Sequence, residues 1–218
     1  MIAGDDRRFH LEELACALTH GVGAMASLVG GAVLITLAAL AGDVWQVLSA
    51  AVFSVTLILL YTSSTLYHAA RREVLRTRLR VVDHCAIFLL IAGTYTPFTL
   101  VSLRGPWGWS LFGVVWLLAV AGIVFKLFFT GRLRRLSTGM YLGMGWLGLG
   151  VAGDVLARAL PPAGLAWLVA GGVLYTAGVP FYLWRRLRFG HAVWHLFAVG
   201  GSACHVWLVM GYVLPAAA

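Results

Sequence analysis

Two histidines four positions apart, in the segment His191-Ala-Val-Trp-His195, could bind one metal ion. On an α-helix, side chains at positions i and i+4 share a face with their Cβ atoms about 6 Å apart, so both imidazoles can reach the same ion. The alternative is that both are amphipathic side chains at the membrane boundary of a helix. The pair by itself is therefore a weak signal, and a metal site needs further ligands.

Three residues elsewhere in the chain could complete such a site. His68 supplies a third imidazole, and three nitrogen ligands with one open position are typical of catalytic zinc. Asp83 could accept a proton from a metal-bound water, although it could instead cap a helix or pair with Arg80. Ser64, one helical turn before His68, could donate a hydrogen bond to a substrate oxygen or bond back to its own helix.

Four more ionisable residues lie in or beside apolar stretches. Glu13 and His20 are seven residues apart and share a helical face, so they could contribute to the same site. We nevertheless interpret Glu12 and Glu13 as part of a solvated helix terminus. His205 lies about 20 Å beyond His191 along a helix, which excludes a shared ion. It could still line the same cavity or form a hydrogen bond across the bundle.

The three cysteines, Cys16, Cys85 and Cys204, each lie within or beside an apolar stretch. Their number is odd, and no Cys-x-x-Cys spacing occurs. We therefore interpret all three as small buried hydrophobic side chains.

Seven stretches free of Asp, Glu, Lys and Arg must position these side chains. Each has 18 residues or more, enough for a helix to cross a bilayer core of roughly 30 Å at about 1.5 Å per residue. With 61% hydrophobic and 11% charged residues, the chain cannot be a soluble domain. The sequence predicts an all-α integral membrane protein, a single domain over residues 1–218 formed by a bundle of seven transmembrane helices. The predicted helices are 14–41, 44–67, 82–103, 107–129, 139–157, 164–184 and 190–214.

Proline and glycine positions refine this prediction. Pro97 and Pro180 lie inside the third and sixth helices, and we expect each to kink its helix because it removes a backbone donor. The glycines between residues 139 and 150, and the pair Gly200-Gly201, predict smooth faces for close packing on the fifth and seventh helices.

The basic residues orient the bundle. Fourteen of the sixteen Lys and Arg residues precede the first helix or lie between helices 2 and 3, 4 and 5, or 6 and 7. By the positive-inside rule, the N-terminus is cytoplasmic and the C-terminus external, as in a plasma or bacterial inner membrane. The net charge of +8 reflects this asymmetry, so we expect no nucleic-acid partner. The orientation places His68, Asp83 and His191 at a similar cytoplasmic depth, but depth alone does not make helices 2 and 7 neighbours.

Three segments resemble signature motifs of the progestin and adipoQ receptor (PAQR) family, whose bacterial branch is called haemolysin III. They are Ser64-Thr-Leu-Tyr-His68, the run from Asp83 to Pro97, and His191-Ala-Val-Trp-His195. The segment from Glu12 to Gly21 also resembles the bacterial branch, and the number and order of helices agree.

The resemblance implies one zinc ion near the cytoplasmic face, with His68, His191 and His195 as ligands. It further implies that Asp83 holds the zinc-bound water and that Ser64 lies nearby. The family is in turn similar to alkaline ceramidases, which hydrolyse a lipid amide. We therefore expect membrane lipids as partners and a lipid-like substrate or ligand inside the bundle.

Three hypotheses for function follow. The first is a zinc-dependent hydrolase of lipid amides or esters, with Asp83 as base and zinc and Ser64 stabilising the oxyanion. The second is a non-catalytic receptor-like or membrane-homeostasis protein in which zinc is structural. The third is a cytolytic or pore-forming protein, although no helix carries a sustained polar stripe. A structural zinc site closes all four positions with protein ligands, whereas a hydrolase leaves one to water.

Overall fold

The computed structural model describes residues 2–184 and 186–214, with side chains from residue 9 onward. This part of the chain forms seven helices and contains no strand. The helices are α1 (Ile2–Ala41), α2 (Val44–Ala69), α3 (Glu73–Pro97), α4 (Pro106–Phe129), α5 (Arg134–Ala159), α6 (Pro162–Leu183) and α7 (Gly190–Leu208). Two π-helical segments, Phe98–Ser102 and Val209–Val213, continue α3 and α7. The predicted all-α fold of seven membrane-length helices is confirmed.

The distribution of polarity is that of a membrane protein. On α1, Leu18 and Val22 are 61% and 68% exposed, whereas Cys16, His20 and Ser27 on the opposite face are buried. Apolar side chains thus face outward and polar ones inward, as expected when hydrocarbon surrounds the bundle. All seven helices are long and apolar enough to cross a membrane, so the chain is an integral multi-pass membrane protein.

Packing follows the chain order from α1 to α4, while α7 packs against both α6 and α1. α1 therefore contacts α2 on one side and α7 on the other. The shared membrane depth of the histidines did not establish that helices 2 and 7 lie close together. In the structure α1 bridges these two helices. The connections α2–α3, α4–α5 and α6–α7 lie together at one end of the bundle, which we call the basic end.

Several helices begin earlier than predicted, because charged residues extend them beyond the apolar stretches. α1 begins at Ile2 rather than at residue 14, and α3 begins at Glu73 rather than at residue 82. At 40 residues, α1 is about 60 Å long, twice the thickness of a bilayer core. Lys126, which the sequence placed in a basic connection, is buried within α4.

The two prolines behave differently. Pro97 is the last residue of α3, where the α-helix gives way to a π-helical segment. Pro180 lies within the last turn of α6, and the helix continues to Leu183. The described backbone departs most clearly from helical geometry at Ala152 in α5, with φ −135° and ψ 23°.

The glycine-rich face of α5 does not pack as predicted. A Cβ atom added at Gly139, Gly143 or Gly150 would meet nothing within 4 Å. At Gly148, by contrast, it would lie 2.8 Å from the ring of Tyr95. On α7 the prediction holds, because a Cβ at Gly201 would lie 2.8 Å from Tyr175. Close packing at glycine therefore occurs at Gly148 of α5 and at Gly201 of α7, while the three α5 glycines named first border open space.

Candidate metal centre

Four potential metal ligands from three helices converge at the basic end. They are Cys16 on α1, His68 on α2, and His191 and His195 on α7. One ligand atom of each lies within 4.8 Å of the others. His191 is half-buried and the other three are buried. The structure thus brings together the three histidines singled out from the sequence. It adds Cys16, which is buried as expected but whose thiol belongs to the cluster.

Glu13 fixes the orientation of His68. The Nδ1 atom of His68 lies 2.9 Å from Oε2 of Glu13, and Oε1 of Glu13 accepts a hydrogen bond of 2.7 Å from Arg76. Because a carboxylate only accepts, Nδ1 of His68 carries the proton and Nε2 keeps its lone pair. That Nε2 atom is buried and has no hydrogen-bond partner among the described residues. A carboxylate behind a histidine that offers its other nitrogen is the usual support of a metal ligand.

α1 also holds His195. The Nδ1 atom of His195 lies 3.2 Å from the carbonyl oxygen of Cys16 and 3.2 Å from Oγ1 of Thr19. The Thr19 hydroxyl donates to carbonyls of its own helix, so Nδ1 of His195 donates and its Nε2 atom remains free. The ring of His20 stacks on that of His195, with centroids 3.4 Å apart.

The donor set fits a transition metal ion. The rings of His68, His191 and His195 form a triangle with centroid separations of 4.6 to 5.1 Å. Nitrogen and sulfur donors favour ions such as zinc over magnesium and calcium, which prefer oxygen. The unpartnered Nε2 atom of His68 has its lone pair available to a metal ion. The cluster can therefore bind a metal.

Asp83 and Ser64 lie side by side next to this cluster. Asp83 is buried near the middle of α3, whose N-cap residue is Arg72, so it does not cap that helix. The described residues contain no ion pair between Asp83 and Arg80. The hydroxyl of Ser64 is buried and does not bond back to α2. The described residues therefore show neither the helix cap nor the Arg80 partner considered for Asp83, nor the bond of Ser64 back to its own helix.

A cavity of about 160 Å³ extends from the cluster into the bundle. Asp83, Ser64, His191 and His195 line it near the basic end. Its walls come mainly from α3, α5, α6 and α7, and they are predominantly apolar. Of the α5 glycines, Gly145 and Gly148 line this cavity, whereas Gly139, Gly143 and Gly150 are exposed on the outer surface of the helix. An apolar chain inside it would end next to the polar cluster.

Sequence comparison identifies the family. The description "Haemolysin-III related" belongs to the family whose model matches residues 9–206. The chain belongs to the haemolysin III-related family. It is 46% identical over 210 residues to "Hemolysin-3" of Bacillus cereus, covering 96% of this chain and 95% of that protein. It is also 46% identical over 201 residues to the "Hemolysin-3 homolog" of Bacillus subtilis (strain 168), covering 92% and 94%.

A more distant relative links the chain to PAQR proteins. The human "Monocyte to macrophage differentiation factor" is 27% identical over 210 residues, covering 93% of this chain and 84% of that protein. The resemblance to the haemolysin III branch of the PAQR family is thereby confirmed.

In this haemolysin III-related protein, the residues that sequence reasoning misjudged lie on α1. Glu12 accepts a hydrogen bond of 3.0 Å from the backbone nitrogen of Phe189, just before α7 begins. Glu13 supports His68, so the interpretation of both glutamates as a solvated terminus is wrong. His20 lines the cavity, as its seven-residue spacing from Glu13 suggested. The same helical spacing also placed Cys16 on that face and could have drawn attention to it.

Proposed function

We propose that this chain is a zinc-dependent hydrolase of lipid amides or esters. The observation that carries the proposal is the position of Asp83 and Ser64. Both are buried at the point where a cluster of metal-binding side chains meets an apolar cavity. A carboxylate and a hydroxyl at such a boundary suit an acyl carbonyl whose chain lies in the cavity.

His68, His191 and His195 would hold the zinc ion, with Glu13 keeping Nε2 of His68 directed at it. When bound, zinc supplies a Lewis acid that polarises a carbonyl and lowers the pKa of water from 15.7 to about 7. Asp83 orients the attacking water and accepts its proton. Ser64 donates a hydrogen bond to the oxygen that becomes negative in the transition state.

Hydrolysis by this route consumes one water molecule and returns Asp83 to its starting protonation state. The water oxygen forms a bond to the acyl carbon while Asp83 takes a water proton. The carbon–nitrogen or carbon–oxygen bond then breaks, and its electron pair goes to the leaving atom. That atom takes the proton back from Asp83 and departs as an amine or alcohol, leaving a carboxylic acid.

The membrane setting determines how the substrate is placed. The acyl chain occupies the cavity between α3, α5, α6 and α7, and the head group lies at the basic end. We assign this end to the cytoplasm, because fourteen of the sixteen Lys and Arg residues lie on that side. The products then separate into an acid in the membrane and a polar group in the cytoplasm.

A second candidate is a structural zinc site. It is favoured by Cys16, because Cys16 with the three histidines would close all four positions of a tetrahedral ion. The names of the Bacillus relatives suggest a lytic activity for those proteins. The predominantly apolar lining of this cavity gives a lytic activity no comparable support.

The test uses purified, zinc-loaded protein and a panel of lipid amides and esters. We expect Asp83→Asn to retain its zinc at saturating metal and to lose most of its turnover, because an amide cannot accept the proton. Asp154→Asn is the matched control, since Asp154 is an exposed carboxylate on α5 outside the cavity lining. Turnover by Asp83→Asn equal to the control would remove Asp83 as the base. No hydrolysis by the zinc-loaded parent across the panel would favour the structural site.

A further inference from the structure

A chain of hydrogen-bonded side chains leads from the neighbourhood of the metal cluster into the interior of the bundle. It begins at Tyr61, whose ring packs edge-on against that of His20 with centroids 4.9 Å apart. The hydroxyl of Tyr61 contacts the carbonyl oxygen of Ala198 at 3.1 Å and Oγ of Ser202 at 2.6 Å. The hydroxyl of Tyr175 contacts the same Oγ at 2.7 Å. His205, ten residues and about 15 Å beyond His195 along α7, lies beside Tyr175 with ring centroids 5.7 Å apart.

Each of these contacts has only one possible donor when all are made together. The carbonyl of Ala198 can only accept, so Tyr61 donates its single proton there. The Ser202 hydroxyl must then donate to Tyr61. The remaining contact must be donated by Tyr175, whose oxygen keeps its lone pairs as acceptors.

His205 adds a second acceptor. Its Nε2 atom lies 3.2 Å from the carbonyl oxygen of Leu168, so Nε2 carries the proton and Nδ1 is deprotonated. That Nδ1 atom is buried and unpartnered within the described part of the chain, and the residue is only 7% exposed. An unpaired acceptor inside a membrane bundle costs free energy that a donor group would recover.

Both residues line the cavity that begins at the metal cluster. The two side chains lie beside each other in this part of the lining, and their protons are committed elsewhere, which leaves the Tyr175 oxygen and the buried Nδ1 of His205 as acceptors. A ligand group at this depth therefore forms a hydrogen bond with these acceptors only if it carries a proton to donate. A hydroxyl does so, whereas a ketone or a plain methylene does not.

We propose that the cavity takes a lipid chain bearing a hydroxyl group, which donates its one proton to Nδ1 of His205, with the Tyr175 oxygen as a neighbouring acceptor, about 15 Å along α7 from the metal cluster. As a statement about substrate, this inference rests on the proposed hydrolase function. As a statement about binding, it does not require hydrolysis.

The experiment compares three stearic acid derivatives that differ only at the middle of the chain. One carries a hydroxyl, one a ketone at the same carbon, and one neither. Their dissociation constants are measured for the full-length protein in detergent by displacement of a fluorescent fatty acid. We expect the hydroxylated lipid to bind about tenfold more tightly than the other two, as for one well-formed hydrogen bond.

Two variants test the assignment of the protons. His205→Leu removes the acceptor and should abolish the preference for the hydroxyl. Ser202→Ala leaves Tyr175 without its acceptor, so its proton becomes available to the ligand. This variant should therefore gain affinity for the ketone relative to the parent. A variant that fails to fold is replaced by Tyr175→Phe, which should weaken the preference for the hydroxyl.

The outcomes separate this inference from the proposed function. Equal affinity for the three lipids, or no binding of any, overturns the hydroxyl site whatever the hydrolysis assay shows. A hydroxyl preference in a zinc-loaded parent that hydrolyses no lipid of the panel supports the site while refuting the hydrolase. The preference should also persist in Asp83→Asn.

Discussion

Glu13 offers a sharp test of the metal centre, because its direct contact with the cluster is the one to His68. Its Oε2 atom lies 2.9 Å from Nδ1 of His68, and its other oxygen accepts a hydrogen bond from Arg76. The His68 side chain is 3% exposed and that of Glu13 is 18% exposed, so water screens this contact only slightly. Replacing Glu13 by Gln keeps the shape and removes the charge.

The expected magnitude follows from this geometry. A hydrogen bond to a charged group contributes about 1.5–3 kcal/mol, and loss of a carboxylate behind a metal-binding histidine typically weakens metal affinity about 10–100-fold. The amide oxygen of Gln can still accept from Nδ1, which favours the lower end of this range. We therefore expect Glu13→Gln to raise the zinc dissociation constant about tenfold.

The assay is competition for zinc with a chelator of known affinity, using purified protein. Glu73→Gln is the matched control, because Glu73 is an exposed glutamate in the first turn of α3. A dissociation constant for Glu13→Gln equal to that of the control would refute the reasoning. It would mean that His68 does not bind the ion or does not need its carboxylate partner.

Three further predictions concern the ligands and the orientation. Purified protein should contain about one zinc ion per chain, and the double variant His191→Ala, His195→Ala should lose it, as measured by elemental analysis. Cys16→Ala should retain both the zinc and the hydrolytic turnover, whereas loss of the zinc would identify a closed structural site. Alkaline phosphatase fused to the C-terminus should be active, and fused within residues 71–80 it should be inactive. The reverse pattern would invert the proposed topology.

The membrane helices and the depth of the site could be predicted because both depend on one-dimensional properties. Apolar length determines which segments cross the bilayer, and the basic connections place His68, Asp83 and His191 at one end. The motifs carry this information in order along the chain. Their convergence in space did not follow, because sequence does not specify which helices are neighbours.

The position of α1 shows which information the sequence lacks. This helix packs between α2 and α7, so its polar face points at the centre of the site. Glu13, Cys16 and His20 lie on that face at helical spacing, yet each has an ordinary alternative role in a membrane helix. Only the packing of α1 against both histidine-bearing helices distinguishes these roles.

A buried polar side chain shows another limit of the sequence. Lys126 lies within the predicted helix 107–129, but it was counted with the basic connection because charged residues are rare inside membrane spans. In the structure its ammonium donates a hydrogen bond of 2.8 Å to Ser137 and lies 5.7 Å from the centre of the Tyr141 ring. A partner on the next helix therefore accommodates the buried ammonium, and no local pattern reveals that partner.

The two adjacent glutamates of α1 give the site a property that the histidines alone would not have. Glu12 binds the backbone at the start of α7, and Glu13 binds His68 at the end of α2. A metal ion that binds only the assembled cluster therefore also stabilises the docking of α1. By mass action this stabilisation is about 2.7 kcal/mol at a free metal concentration 100 times the dissociation constant. Because linkage is reciprocal, a change that undocks the basic end of α1 would weaken metal binding by the free energy that couples the two events. α1 therefore connects the occupancy of the metal centre to the packing of the bundle around the cavity.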